Sequence, residues 1–283
     1  MKSSSYLYNE ISIKNFRRGK IICKNDFCIT YEVEDQNTGQ LYAAKVINCC
    51  NDENQCIRII NHELQIYLST NHPTIVKYIG YSKLDFQEEN NITIIMELFQ
   101  NGSLENVIKS IIQNNTPPNY TNTSKQIIMA GVARGMKYLH DHRIIHSDLK
   151  TGNVLLDKDF HPKIADFGMS SIIHSKSENQ FREKIGYKAP ELLKNEPYDY
   201  RIDVYAFGIL MYEIISDSFA YSNFEISDFE FKAKILNENY RPKFEVPINE
   251  PLQKLIEKCW SNDPKDRPTF DEIFDKFATK SDF

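Results

Sequence analysis

Ile145-His146-Ser147-Asp148-Leu149-Lys150-Thr151-Gly152-Asn153 gathers a base, a cation and a metal-ligating amide into one short loop. An aspartate followed two residues on by a lysine and five on by an asparagine suits phosphoryl transfer, where positioning and charge neutralisation carry most of the catalysis. In that chemistry Asp148 orients an attacking hydroxyl, Lys150 neutralises the migrating phosphoryl group, and Asn153 holds a magnesium ion from the same loop. Asp166-Phe167-Gly168 follows at short range and offers a second metal ligand beside a glycine hinge. Alone, that tripeptide reads as an ordinary turn. In this order and spacing it is far more specific.

With Ala189-Pro190-Glu191 further on, these blocks resemble the catalytic core of the eukaryotic protein kinases, whose pattern runs His-Arg-Asp-Leu-Lys-x-x-Asn, Asp-Phe-Gly and Ala-Pro-Glu. The closing block, Glu257-Lys258-Cys259-Trp260 and then Asp263-Pro264-Lys265-Asp266-Arg267-Pro268-Thr269-Phe270, is similar to the tyrosine-kinase-like group and the tyrosine kinases. The resemblance covers residues 16–277, between a lead over 1–15 and a tail over 278–283. It implies an α+β, bilobal fold: an N-lobe over 16–99 with a small antiparallel sheet and one helix, and a larger, mainly helical C-lobe over 100–277. It also implies an enzyme that moves the γ-phosphoryl group of ATP, with Mg2+ or alternatively Mn2+, to serine or threonine hydroxyls of a protein substrate.

The same resemblance distributes the roles. Asp148, Lys150 and Asn153 are catalytic, and Asn153 and Asp166 are the metal ligands. Lys45 contacts the phosphates and Glu63 holds that lysine in an ion pair. Ile22, Thr30, Ala43, Met96, Glu97, Phe99 and Leu155 surround the nucleotide, with Met96 behind the adenine and Glu97 and Phe99 offering hinge backbone groups. Arg267 is the expected partner of Glu191.

Composition agrees with a globular enzyme. A chain of 283 residues that is 41% hydrophobic can fill a substantial core, as one large domain or two small ones. A formal charge of -5 leaves no basic footprint, so neither nucleic acid nor a polybasic membrane surface is indicated as a partner. No apolar run approaches the roughly 20 residues needed to span a bilayer. The polar start, Met1-Lys2-Ser3-Ser4-Ser5-Tyr6, is unlike a secretory leader, so the expected compartment is the cytoplasm, with the nucleus as the alternative. Six cysteines, at 23, 28, 49, 50, 56 and 259, are read as reduced thiols. Cys23 and Cys28 would need further Cys or His ligands to hold a metal, and no such pattern follows them.

In chain order, residues 16–47 alternate apolar and polar positions around a turn at Asn37-Thr38-Gly39-Gln40, which predicts an antiparallel meander ending in the Lys45 strand. Ile57, Ile60, Leu64 and Tyr67 mark an amphipathic helix over 54–69 that carries Glu63, and Pro73 stops it before another strand. Ile92-Thr93-Ile94-Ile95-Met96-Glu97-Leu98 reads as a buried strand, broken by Asn101-Gly102-Ser103-Leu104, which caps a helix. A polar loop over 113–122 precedes a scaffold helix over 124–140. Short strands at 154–156 and 162–165 then bring Asp166 back toward Asn153. Residues 169–188 are polar and aperiodic and are expected to be mobile, and Asp203 opens an apolar helix running through Ile215.

Three features depart from the kinase pattern. Cys23, Asn25 and Cys28 stand where a glycine-rich phosphate loop has its glycines, which restricts the approach of backbone amides to phosphate. Ser147 replaces the arginine that receives an activation-loop phosphate, and Lys184 replaces a threonine near the substrate. Two readings therefore stand: an active serine/threonine kinase, and a pseudokinase that binds or scaffolds with little transfer.

Overall fold

The computed structural model describes residues 9–25, 28–48, 53–168, 185–222, 226–245 and 247–279. Most of the segment expected to be mobile, including Lys184, lies outside the described residues. The chain divides into two compact units, with the division between Gln100 and Asn101.

In the first unit, strands β1 (Phe16–Lys24), β2 (Cys28–Asp35), β3 (Leu41–Ile47), β4 (Tyr78–Ser82) and β5 (Thr93–Glu97) form one antiparallel sheet in the order β1-β2-β3-β5-β4. The meander turns where the sequence predicts. Asp35 Oδ1 accepts from Asn37 N at 2.8 Å, and Gly39 takes a φ of +72°, a left-handed conformation that glycine adopts without a Cβ penalty. Paired residues of an antiparallel sheet share a face, so Ala44 and Ile95 lie together, and they build a core with Ile13, Phe16 and Val33. Helix α1 (Glu53–Ser69) buries Ile60, Leu64 and Tyr67, the stripe its periodicity predicts.

The described part of the lead, from Asn9, is not detached. Asn9 and Ile11 bracket Tyr81 with backbone bonds, Tyr81 N to Asn9 O at 3.0 Å and Ile11 N to Tyr81 O at 2.8 Å, so the segment runs parallel along the edge of β4. Ile13 then enters the core at 5% exposure. This docking needs Gly80, because a Cβ there would sit 2.7 Å from Asn9 O.

The second unit contains helices α2 (Leu104–Ile112), α3 (Asn122–Asp141), α4 (Pro190–Lys194), α5 (Arg201–Ser216), α6 (Asp228–Asn237), α7 (Glu250–Cys259) and α8 (Phe270–Thr279), with a two-stranded hairpin of β6 (Val154–Leu156) and β7 (Pro162–Ile164). Ser103 caps α2 by accepting from Asn106 N, following a left-handed Gly102. Helix α3 starts two residues before its apolar stripe suggests, because Thr121 and Ser124 form a capping box. Helix α5 buries every residue from Ile202 to Ile214, so its sequence shows little amphipathic alternation.

Gly131 of α3 lets the helix lie against the hairpin, since a Cβ would meet Pro162 Cγ at 2.4 Å. A proline ring has no rotamer that moves it aside. Gly131→Ala should therefore lose about 1–3 kcal/mol through overpacking, against a helix-propensity gain of about 1 kcal/mol. Urea unfolding checks this, and an unchanged midpoint would mean that the hairpin shifts freely.

Candidate active site

The catalytic loop is built around buried polar groups. Asp203, in the first turn of α5 and 1% exposed, accepts from His146 N and Ser147 N, each at 2.8 Å, and lies 2.9 Å from His140 Nε2. Two successive amides on one carboxylate hold Ser147 at a φ of +64°. The ring of His146, fully buried, accepts from Asp148 N at Nδ1 (3.3 Å) and donates from Nε2 to Ala165 O (3.2 Å). That single ring links the residue before Asp166 to the loop that carries Asp148.

Asp148, Lys150 and Asn153 come together. Asp148 Oδ2 receives Lys150 Nζ at 2.6 Å and Asn153 Nδ2 at 3.0 Å, and Asn153 Nδ2 also donates to Asp148 O at 2.7 Å. The amide nitrogen of Asn153 is thus directed into the loop, and its oxygen is the other end of the amide. The pairing of Val154 with Ile164 and the bond from Ala165 N to Asn153 O (2.9 Å) return the chain so that Asp166 follows beside Asn153. Asp166 has a φ of +67°, and Phe167 is fully buried with its ring 5.3 Å from that of His146. Leu155 pairs with Lys163 and forms a bridge with Ser103.

In the first unit, Lys45 Nζ lies 2.9 Å from Glu63 Oε1 and 3.1 Å from Oε2, with Glu63 1% exposed. Strand register puts the other residues on the same face: Thr30 pairs with Lys45, Ala43 pairs with Met96, and Ala43 and Lys45 are two apart on β3. Ala43, Met96 and Phe99 are buried at 7%, 6% and 8% exposure. Glu97 Oε1 accepts from Lys77 N at 2.6 Å, and Ile22 lies in β1, half-buried. The positions expected as a glycine loop are narrower than their spacing suggests, because Cys23 belongs to β1 and Cys28 begins β2.

Two supports escaped the sequence reading. Asp203 was legible only as a helix start, although a carboxylate at the head of a largely apolar helix needs buried donors. Glu213, the one acid inside the apolar run of α5, accepts from Thr151 Oγ1 (3.2 Å), from Ala220 N (3.0 Å) and from the Tyr187 hydroxyl. Burial, and then the Glu213 charge, push the Tyr187 phenol well above its ordinary range, so it stays a neutral donor. Arg267 meets Glu191 in the expected pair as a bidentate bridge of 2.6 and 2.9 Å, and its guanidinium also donates to the carbonyls of Ser261, Asn262 and Arg201.

Comparison with known proteins assigns these residues a context. A family model described as protein kinase domain matches residues 16–277. The chain is 28% identical over 267 residues to the cell cycle serine/threonine-protein kinase CDC5/MSD2 of Saccharomyces cerevisiae, covering 93% of this chain and 36% of that protein. It is 31% identical over 270 residues to the putative serine/threonine-protein kinase/receptor R826 of Acanthamoeba polyphaga mimivirus, covering 93% and 15%. It is 33% identical over 219 residues to the dual specificity protein kinase shkD of Dictyostelium discoideum, covering 75% and 28%. The chain thus spans at most 36% of the length of these three relatives.

Removing the carboxylate that holds the loop should be costly. Asp203→Ala leaves buried donors without their acceptor and should lower stability by about 2–4 kcal/mol, whereas Asp203→Asn keeps an acceptor oxygen and should lose less. Equal losses for the two variants in denaturant unfolding would show that acceptor geometry is not what Asp203 supplies.

Proposed function

We propose a function from one premise: the chain belongs to the protein kinase family. We infer that it transfers the γ-phosphoryl group of ATP to serine or threonine hydroxyls of a protein substrate. The observation that carries this reading is the Asp148 carboxylate, received by Lys150 and Asn153 within one loop whose backbone is pinned to Asp203.

In this reading Asp148 accepts the hydrogen bond of the acceptor hydroxyl and takes its proton as the new O–P bond forms and the bond from the γ-phosphorus to the bridging oxygen of ATP breaks, releasing ADP. Lys150, already beside Asp148, carries positive charge to the phosphoryl oxygens. Lys45, kept extended by Glu63, holds the phosphates of the nucleotide. Ala43, Met96, Thr30, Ile22 and Leu155 supply the apolar walls for the base, and the backbone of Glu97 and Phe99 orients it. Asp166 and the oxygen of Asn153 form a hard oxygen donor pair, a chemistry that fits Mg2+ and equally Mn2+. When bound, the cation neutralises charge on the phosphate oxygens.

Serine and threonine acceptors are supported by the lysine of Asp148-Leu149-Lys150 and by the names of the yeast and viral relatives. The alternative, a binding module with little transfer, draws on the substituted glycines, Ser147 and Lys184, while every side chain given direct chemistry is present. No helix among the described residues is long and apolar enough to cross a membrane.

Purified protein with radiolabelled ATP and Mg2+ should label serine and threonine, and Asp148→Asn should lower turnover by about two orders of magnitude or more. Wild type and Asp148→Asn sharing one background rate across ATP, Mg2+ and Mn2+ concentrations would overturn the reading. Phosphoamino-acid analysis separates hydroxyl classes, and label confined to tyrosine would overturn the acceptor assignment. Lys45→Ala and Glu63→Ala should each depress turnover, and the double variant should lose much less than the sum, because the two residues act as one pair. Additive losses would show that the ion pair is not what places Lys45.

A further inference from the structure

The turn between β1 and β2 is closed from both sides by residues that replace glycines. Asn25 N donates to Cys28 O at 3.0 Å, and Cys28 N donates to Asn25 Oδ1 at 2.8 Å. The second bond is a property of this sequence, because it needs a short side chain with an acceptor oxygen, here the Asn25 carboxamide, to reach back to the backbone of the turn. Glycine at 25 could not make it.

This matters because a hairpin turn binds an anionic group through its main-chain N–H donors. The reading of the β1–β2 turn as a phosphate cradle rests on the proposed kinase function. In that cradle the Cys28 amide is a donor, and here it is already directed at the Asn25 carboxamide. Phosphate and Asn25 Oδ1 want the same hydrogen.

We propose that Asn25 is an internal competitor for the phosphate chain of the nucleotide, a positioning residue that caps the cradle when it is empty and must release the Cys28 amide before phosphate can take it. The cap sets phosphate affinity alone. Recognition of the base and ribose depends on other residues, so Asn25 should leave it unchanged.

The proposal makes opposite predictions for two substitutions. Asn25→Gly frees the amide and should tighten MgATP and MgADP by about five-fold, the worth of one net hydrogen bond, with adenosine affinity unchanged. Asn25→Asp keeps an acceptor at the same position, so the turn stays closed, but adds negative charge beside the phosphates; it should weaken both nucleotides and again leave adenosine alone. Calorimetry of the wild-type chain and both variants with MgATP, MgADP and adenosine reads this, with thermal unfolding of each protein alongside. A merely structural role would move adenosine and ATP together, and that result overturns the proposal. So would an Asn25→Gly protein with wild-type melting and no gain for MgATP. Wild type that binds adenosine and MgATP equally overturns the cradle itself, and wild type that binds neither overturns the kinase reading with it, so the failures are distinguishable.

Discussion

The buried carboxylate of Asp203 is the constraint on which the catalytic unit depends. It stands in the first turn of α5, where the helix dipole and unpaired amides favour negative charge, and takes two consecutive amides of the catalytic loop. A carboxylate this far from water would be strongly unfavourable without such donors. Here it has His146 N, Ser147 N and the His140 ring. The consequence is mechanical: the two bonds hold the loop backbone with Ser147 left-handed, and the following residues are placed from there.

From that anchor the order spreads by short links. The His146 ring ties Asp148 N to Ala165 O, and the β6–β7 pairing returns the chain so that Asp166 follows beside Asn153. Glu213 does a parallel service from the middle of the same helix, binding Thr151 and Tyr187. Helix α5 therefore acts as a post with two buried acids, and each acid is matched to donors on the chain it supports. Such networks are worthwhile only when every member is satisfied, which is why their parts cannot be exchanged singly.

The first unit uses a different balance. Lys45 and Glu63 are a cation and an anion brought together by a sheet face and a helix stripe, and the pair is largely withdrawn from solvent. The β1–β2 turn, in contrast, is exposed at Asn25 and closed by one side chain and two hydrogen bonds. A ligand would find the lysine preset and the turn to be reopened.

Much of this was legible in order along the chain. Periodicity marked β3, α1 and β5 because each has one face in a core, and Gly39, Gly102 and Pro73 punctuated them for steric reasons that operate locally. The resemblance named Asp148, Lys150, Asn153, Asp166, Lys45 and the Arg267–Glu191 partnership, since those residues sit in short motifs, and Glu63 from its place on an amphipathic helix. What stayed hidden were interactions whose partners are far apart in sequence and carry no pattern of their own: Asp203 with His146 and Ser147, Glu213 with Tyr187, and the lead from Asn9 lying along β4. Residue types and spacing determined which chemistry the chain could hold, because side-chain character and backbone preference are properties of short segments. Which buried acid holds which amide was decided by the tertiary structure, because a buried polar group is stable only with the donor or acceptor that folding brings to it.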